Sequence, residues 1–284
     1  MSNYSLIKDS CGFLKVFPTP SKADLDNFYS QKYFQNDSGN FQKLYQEWEF
    51  KYFEDESKII EFYTRDRKLK ILDLGCGEGF QSAYFLKKGH NITCVDYSEF
   101  GLKRHNSHLT EYFIQKDILE FLKSSNDKYD LILLKNVLEH VPDSRALLEH
   151  IKTQMYKESI LYIDVPNDFS AFQQFLQSRK YTENTWFVPP EHLNYFQNDS
   201  LNNLLNQMNF EIISSQAGFP IEIFLANEES NYFRDRKKGR NAHKSRCDLT
   251  NFLSSNIKTF IEFREALAKV ELGRNLLRIV KLKF

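Results

Sequence analysis

The sequence predicts an α/β fold, doubly wound around a mostly parallel seven-stranded sheet. Three observations carry this. Apolar runs such as KILDL at 70–74, YDLILL at 129–134 and SILYIDV at 159–165 recur through the middle of the chain with helix-like segments between them. Their near-continuous apolar character marks strands buried on both faces, which a parallel sheet covered by crossover helices requires. A glycine-rich turn follows the first run directly, where nucleotide-type ligands approach an open α/β sheet.

Taken in order, 70–74 reads as the first strand and 79–88 as its helix. Strand 91–96 (NITCVD) and helix 99–108 come next, then a short strand at 112–115. Strand 129–134 leads to helix 144–156 and strand 159–165. The alternation then breaks at an aromatic-rich stretch, 168–196. Helix 200–208, strand 210–214 and a terminal strand at 275–284 complete the seven strands, with a helix at 257–270 before the last. The polar stretch 227–246, with RDRKKGR at 234–240, reads as a solvated loop, or else as a grip for the phosphates of a nucleotide-linked substrate. Residues 1–65 stand outside the sheet and place Tyr29, Tyr33, Phe34, Trp48, Phe50, Tyr52 and Phe53 on helices. They form an arm that packs on the core or closes as a lid. Residues 66–284 then form the catalytic domain, with insertions at about 168–198 and 220–272.

A chain of 284 residues with 41% hydrophobic and 27% charged residues suits a soluble globular domain with appended elements. Lys and Arg balance Asp and Glu at 38 each, so no net field draws the chain to nucleic acid or an anionic membrane. No apolar run is long enough to span a bilayer, and the first residues lack the pattern of a secretory signal. Cys11, Cys76, Cys94 and Cys247 are scattered without CxxC spacing, so neither a zinc site nor a disulfide framework is indicated. A cytoplasmic, reduced protein without a metal is expected; its oligomeric state is not legible.

The chemistry begins at Asp73-Leu-Gly75-Cys-Gly77-Glu78-Gly79. Dinucleotide-binding turns usually read GxGxxG and offer a helix N-terminus to a pyrophosphate. This turn reads GxGxG and holds two carboxylates, which repel a diphosphate and suit a ligand bearing an ammonium and a sulfonium. S-adenosyl-L-methionine therefore fits better than NAD or FAD. Asp96 ends the second strand, where its carboxylate either accepts from both ribose hydroxyls or caps the following helix. Tyr97 beside it can pack on an adenine.

KILDLGCGEG, VDYSE, QKDILEF and YDLILLKNVLEHVPD, in that order, resemble the successive motifs of class I S-adenosylmethionine-dependent methyltransferases. PNDFSAFQ, VPPEHLNYF, the opening GFLKVFPTPSKADLDNFYSQKYF and the terminal LGRNLLRIVKLKF resemble the ubiquinone-biosynthesis-like small-molecule branch, whose members are often associated with bacterial surface-polysaccharide biosynthesis. The resemblance implies that Gly75 and Gly77 line the methionine and ribose, and that Asp96 holds the ribose. It also implies that Asp117 and Ile118 flank the adenine, with Asp117 accepting from its amino group, and that Asn136 faces the sulfonium. Relatives with this N-terminus often carry paired CxxC zinc motifs; only Cys11 remains here, so a zinc ribbon is rejected.

On the acceptor side, His140 follows the fourth strand, while Glu191, His192 and Tyr195 lie in the insertion after the fifth. Both segments should sit above the carboxyl edge of the sheet. His192 is the first candidate for general base and His140 the second, each with a structural hydrogen bond as its alternative role. Tyr33, Glu191 and Tyr195 are the candidate acceptor contacts. The expected reaction is O-methylation of a sugar, sugar nucleotide or polysaccharide precursor. N- or C-methylation of such a metabolite and O-methylation of a quinone-like phenol are the alternatives. A non-catalytic cofactor-binding partner protein and a nucleic-acid methyltransferase are the readings from other classes.

Overall fold

Why the middle of the chain forms a sheet is visible in how its strands divide their side chains. Leu72, Leu74, Ile132, Leu134, Leu161 and Ile163 join one buried cluster, while Ile71, Leu131, Leu133, Ile160 and Tyr162 join another. Alternate residues point to opposite faces, so each strand must be apolar throughout to bury both. The computed structural model describes residues 4–33, 44–64 and 67–283, apart from the side chains of Asp26 and of residues 29–33.

In chain order, β1 (Ser5–Lys8) and β2 (Leu14–Phe17) precede helices α1 (Lys22–Tyr33) and α2 (Glu47–Tyr63). Then come β3 (Lys70–Leu74), α3 (Phe80–Lys87), β4 (Asn91–Asp96), α4 (Phe100–His105), β5 (Phe113–Gln115), α5 (Ile118–Ser124) and β6 (Tyr129–Lys135). After them run α6 (Ser144–Thr153), β7 (Met155–Pro166), α7 (Ala171–Ser178), β8 (Asn194–Tyr195), α8 (Asn198–Gln207) and β9 (Phe210–Ala217). Helices α9 (Gly239–Leu253) and α10 (Ile257–Lys269) precede the last strand, β10 (Asn275–Leu282).

The expected seven-stranded sheet is present in the order β5-β4-β3-β6-β7-β10-β9. Pairings from β5 through β7 are parallel, and β10 runs against both neighbours. Strand β3 pairs with β4 on one side and β6 on the other, so the winding direction reverses there and a crevice opens beyond the carboxyl ends. Helices α5, α6 and α8 cover one face through Phe121, Leu147, Leu148 and Leu204, and α2, α3 and α4 cover the other through Ile60, Phe85 and Leu102.

Three expectations need correction. Residues 5–17 are a hairpin, not helix; β1, β2 and β8 make a second, antiparallel sheet that stitches the N-terminus to the insertion after β7. The short strand at Asn194–Tyr195 has no sequence pattern of its own, and the partner that orders it lies far away in the chain. The stretch 227–246 is not a loop throughout. A 3-10 turn covers Arg236–Lys238 and α9 begins at Gly239, because this helix buries Ala242, Cys247 and Thr250. Helix α6 stops at Thr153, and β7 already starts at Met155.

A buried ion cluster ties α2, β6 and α10 together. Glu56 accepts from Lys135 Nζ at 2.8 Å and from Arg264 Nη1 at 3.0 Å. Burial pushes the Glu56 carboxyl up, but the two cations outweigh it and hold the group well below the usual carboxylate range. A carboxylate whose pKa is lower folded than unfolded contributes stability that is complete above its unfolded value, about 4.3, and is lost as pH falls. Glu56→Gln leaves two buried cations uncompensated and should lower stability in urea by about 3–5 kcal/mol. It should also flatten the acid limb of the pH–stability curve. A loss under about 1 kcal/mol would show that the cluster is energetically neutral.

Candidate active site

The crevice beyond β3, β4 and β6 is a cavity of about 880 Å³. Its floor is the turn between β3 and α3, which folds as the glycines dictate. Gly75 has φ 71°, and a Cβ there would stand 2.5 Å from Val137 Cγ2; Gly79 has φ 73° and is hemmed by Leu102 and Leu109. Only glycine meets both demands without strain. Asp96, at the end of β4, accepts from the Gly77 amide at 2.9 Å and the Ser98 amide at 3.2 Å, fixing the turn to the neighbouring strand.

Three carboxylates crowd this floor. Asp73 is buried, accepts from Ser82 Oγ at 2.6 Å, and is pushed up to about 6 by burial, with the nearby Asp96 adding to the push against Ser82. Burial also raises Asp96, partly offset by its backbone donors. Glu78, third in the set, accepts from Tyr45 Oη at 2.8 Å and lies 3.3 Å from His105 Nε2. Phe53 of α2 stacks on Phe80 of α3 with centroids 4.4 Å apart, and Tyr45 meets both rings edge-on. The arm therefore covers the outer side of the turn. Phe53 is one of the arm aromatics that the sequence marks; Tyr45 and Lys135 were missed, since nothing local marks them.

Every cofactor residue expected from the sequence lines this one cavity: Asp73, Gly75, Gly77, Glu78, Asp96, Tyr97, Asp117, Ile118 and Asn136. The detail differs at Asp117. Its carboxylate caps α5 by accepting from the Glu120 amide at 2.8 Å and accepts from Tyr97 Oη, so it is already engaged by its own chain. Asn136 is exposed at the end of β6 with φ 52°, and its amide donates to the Asp164 carbonyl at 2.8 Å.

The acceptor side is reordered. His140 lines the cavity, whereas His192, Glu191 and Tyr195 do not. His192 stands behind it, ring centroids 4.9 Å apart at 83°, with Nδ1 3.3 Å from Asp168 Oδ2. The Glu191 carbonyl lies 2.7 Å from His140 Nδ1, so that residue acts through its backbone. Tyr195 is buried, packs on Phe169, and its hydroxyl donates to the His192 carbonyl at 3.2 Å, which removes it from the acceptor contacts. The side chain of Tyr33 lies outside the described residues. Pro20, Lys22 and Leu25 border the cavity instead. No residue of the basic run 234–240 reaches it. Glu139 is buried beside His140; burial pushes its carboxyl well above the usual range, and Asp164, Asp168 and Glu191 add to this.

A Rossmann-like sheet with a cavity at its switch point and a floor of glycines and carboxylates defines an S-adenosylmethionine-dependent methyltransferase. The methyltransferase domain family matches residues 45–215, and this chain belongs to that family. The chain is 31% identical over 107 residues to the ubiquinone biosynthesis O-methyltransferase of Actinobacillus pleuropneumoniae and 34% over 106 residues to that of Rickettsia typhi. Each match covers 34% of this chain, and 46% and 42% of those proteins, so the chain spans under half their length. Two solved structures share the fold. One is a SAM-dependent methyltransferase from Archaeoglobus fulgidus (TM-score 0.53, 19% identity, 90% of this chain and 98% of that one). The other is the 1,6-didemethyltoxoflavin-N1-methyltransferase of Burkholderia thailandensis (TM-score 0.56, 14% identity, 100% and 97%). No helix among the described residues is long and apolar enough to cross a membrane.

The raised Asp73 gives a pH dependence. An ammonium group can pair only with its ionised form, so below about pH 6 the free protein holds a proton that binding must expel. Affinity for S-adenosylhomocysteine should be flat above pH 7 and fall about tenfold per unit below 6, as one coupled proton requires. Calorimetry between pH 5 and 8 checks this; a flat dissociation constant would remove Asp73 from the ammonium site.

Proposed function

We propose that the protein transfers a methyl group from S-adenosylmethionine to a hydroxyl of a small molecule. Asp73 and Glu78 face the methionine end, Asp96 the ribose, and Tyr97 with Ile118 the adenine. The sulfonium then lies near Asn136, over the carboxyl edge of β6. Methyl transfer is an in-line displacement: the acceptor oxygen forms a bond to carbon, the carbon–sulfur bond breaks, and neutral S-adenosylhomocysteine leaves. One proton must depart from the hydroxyl. The cofactor supplies the reactivity; the protein must align the oxygen and exclude water.

The observation that carries O-methylation is the cluster of Glu139, His140 and His192 beside the cavity, with His140 in its wall. A hydroxyl is a weak nucleophile near neutral pH and gains from a group that takes or displaces its proton. N-methylation of an amine has less need of such a cluster. Of the two histidines, His140 is the one placed to meet the acceptor, and His192 orients it from behind. The acceptor enters between α1 and the segment after β6, past Leu25, Val141 and Pro142. Residues 1–65 act as the arm that closes this entrance, and residues 66–284 as the catalytic domain with its insertions.

Two acceptor classes have support. Lys22 and Lys123 border the cavity and suit the phosphates of a sugar nucleotide, the reading the surface-polysaccharide resemblance favours. The apolar entrance, and relatives named for ubiquinone biosynthesis, suit a phenol. Both require the same oxygen chemistry. Incubation with sugar nucleotides and with catechols, read by mass spectrometry for one added methyl group, separates them; transfer to amines alone would refute O-methylation. His140→Ala should lower kcat by about 10²–10⁴-fold with cofactor affinity unchanged. Near-normal turnover would leave alignment as the whole of catalysis.

A further inference from the structure

We propose that Gln81 and Lys135 receive the carboxylate of the cofactor's methionine moiety, and that the protein thereby selects the carboxylated cofactor over a decarboxylated one. Resting on the S-adenosylmethionine reading of the cavity, this accounts for the one negative group of that ligand. Every charged residue that the sequence marks for the cofactor (Asp73, Glu78, Asp96 and Asp117) is itself an acid.

The methionine end carries an ammonium and a carboxylate on the same carbon, so a receptor for it needs an anion and a cation side by side. The sheet supplies that pair. Asp73 of β3 stands opposite Leu133 of β6, and Lys135 lies two residues further along the same strand. Residues two apart in a strand share a face. On that face Ser82 of α3 donates to Asp73, and Lys135 donates to Glu56 of α2. Both Asp73 and Lys135 border the cavity, and the charge of Lys135 draws the Asp73 carboxyl down against the effect of burial. Lys22 and Lys123 also border it, but they stand exposed on α1 and α5.

A second observation is independent of that pairing. Gln81, in the first turn of α3, is 7% exposed and borders the cavity, yet its Nε2 finds no acceptor among the described residues. A buried donor without a partner costs free energy. Lys135 Nζ has three donors; one goes to Glu56 at 2.8 Å, while the side chain stays open to the cavity. Deeper in, Arg264 gives Nη1 to the same Glu56 at 3.0 Å, and its Nε and Nη2 lack acceptors among the described residues. One carboxylate therefore serves two cations. Asp164 stands across from Lys135 on β7, but burial pushes its carboxyl up and Asn275 Nδ2 already donates to it at 3.0 Å. The buried atoms left unmet on Gln81 and Arg264 are all donors, so the missing partner is an anion.

A carboxylate has two oxygens to offer. Gln81 Nε2 can give one a neutral donor, and Lys135 can give the other a charge-assisted bond, while Asp73 takes the ammonium. Because Glu56 belongs to α2, Lys135 is shared between the arm and the ligand, and the cation that anchors the helix also reads the cofactor. Neither residue is announced by the sequence. Gln81 reads as an ordinary helix residue, and Lys135 as the end of an apolar strand.

The test compares S-adenosylhomocysteine with its decarboxylated counterpart, which keeps the adenosine, the thioether and the ammonium, by calorimetric titration into the full chain. Wild-type protein should bind S-adenosylhomocysteine at least about tenfold more tightly, the low end of what a hydrogen bond to a charged group is worth. Gln81→Leu and Lys135→Met should each lose most of that preference by weakening S-adenosylhomocysteine, with the decarboxylated ligand bound as before. Gln81→Leu touches no ion pair, and Lys135→Met leaves Glu56 with Arg264; binding of the decarboxylated ligand certifies each fold. Equal affinity of the wild type for the two ligands, or variants that weaken both alike, would overturn the assignment and leave the methyltransferase reading intact. Binding of neither ligand by the wild type would strike that reading, and the assignment with it.

Discussion

The site depends on two carboxylates held close together before any ligand arrives. Asp73, next to last in β3, and Asp96, last in β4, lie on adjacent parallel strands, so their proximity is a consequence of the sheet. Burial raises both, and for Asp73 the charge on Asp96 adds to the shift. An anionic ligand would be repelled by this arrangement. A ligand with a cationic end relieves the repulsion, and one with vicinal hydroxyls can take the accepting capacity of Asp96 left over by its two amide donors. The closeness of these carboxylates thus suits the cationic end of S-adenosylmethionine.

The surroundings keep that floor in place. The glycine turn is anchored by Asp96 through the Gly77 amide, covered by Phe53 and Tyr45 from the arm, and backed by the Glu56–Lys135–Arg264 cluster. Lys135 links the two systems, since it borders the cavity and is also paired with Glu56. On the acceptor side, the backbone bonds from Leu193 and Asn194 to Glu139 bring the insertion after β7 against the segment after β6. The hairpin β1–β2 adds β8 to its edge and holds that insertion in turn. The remote N-terminus therefore positions the histidines without touching the cavity with its own strands.

What could be read from the sequence follows the same division. The residues expected to hold the cofactor sit near the ends of consecutive strands, within runs whose apolar pattern and glycines are local signals, and each of them lines the cavity. The acceptor side depends on pairings between distant segments. Tyr195 looks like an exposed aromatic in an insertion, but the partner strand β2 and the ring of Phe169 bury it. His192 looked better placed than His140 because of its local setting, yet the order is set by the Glu191 carbonyl reaching across to His140. Helix α9 was hidden because its basic first turn resembles a solvated loop; only its buried residues further along show otherwise.

The central claim is that Asp96 serves the turn and the cofactor together, and one measurement addresses it directly. Asp96→Asn keeps the size of the side chain and one accepting oxygen but removes the charge. Titration of S-adenosylhomocysteine into the wild type and this variant, with NAD as control, reads its share of recognition. The account predicts micromolar-order binding to the wild type and almost none of NAD, with a loss of about 1.5–3 kcal/mol in the variant, the worth of a charge-assisted hydrogen bond. Unchanged affinity in the variant, or NAD binding in preference to S-adenosylhomocysteine, would contradict it.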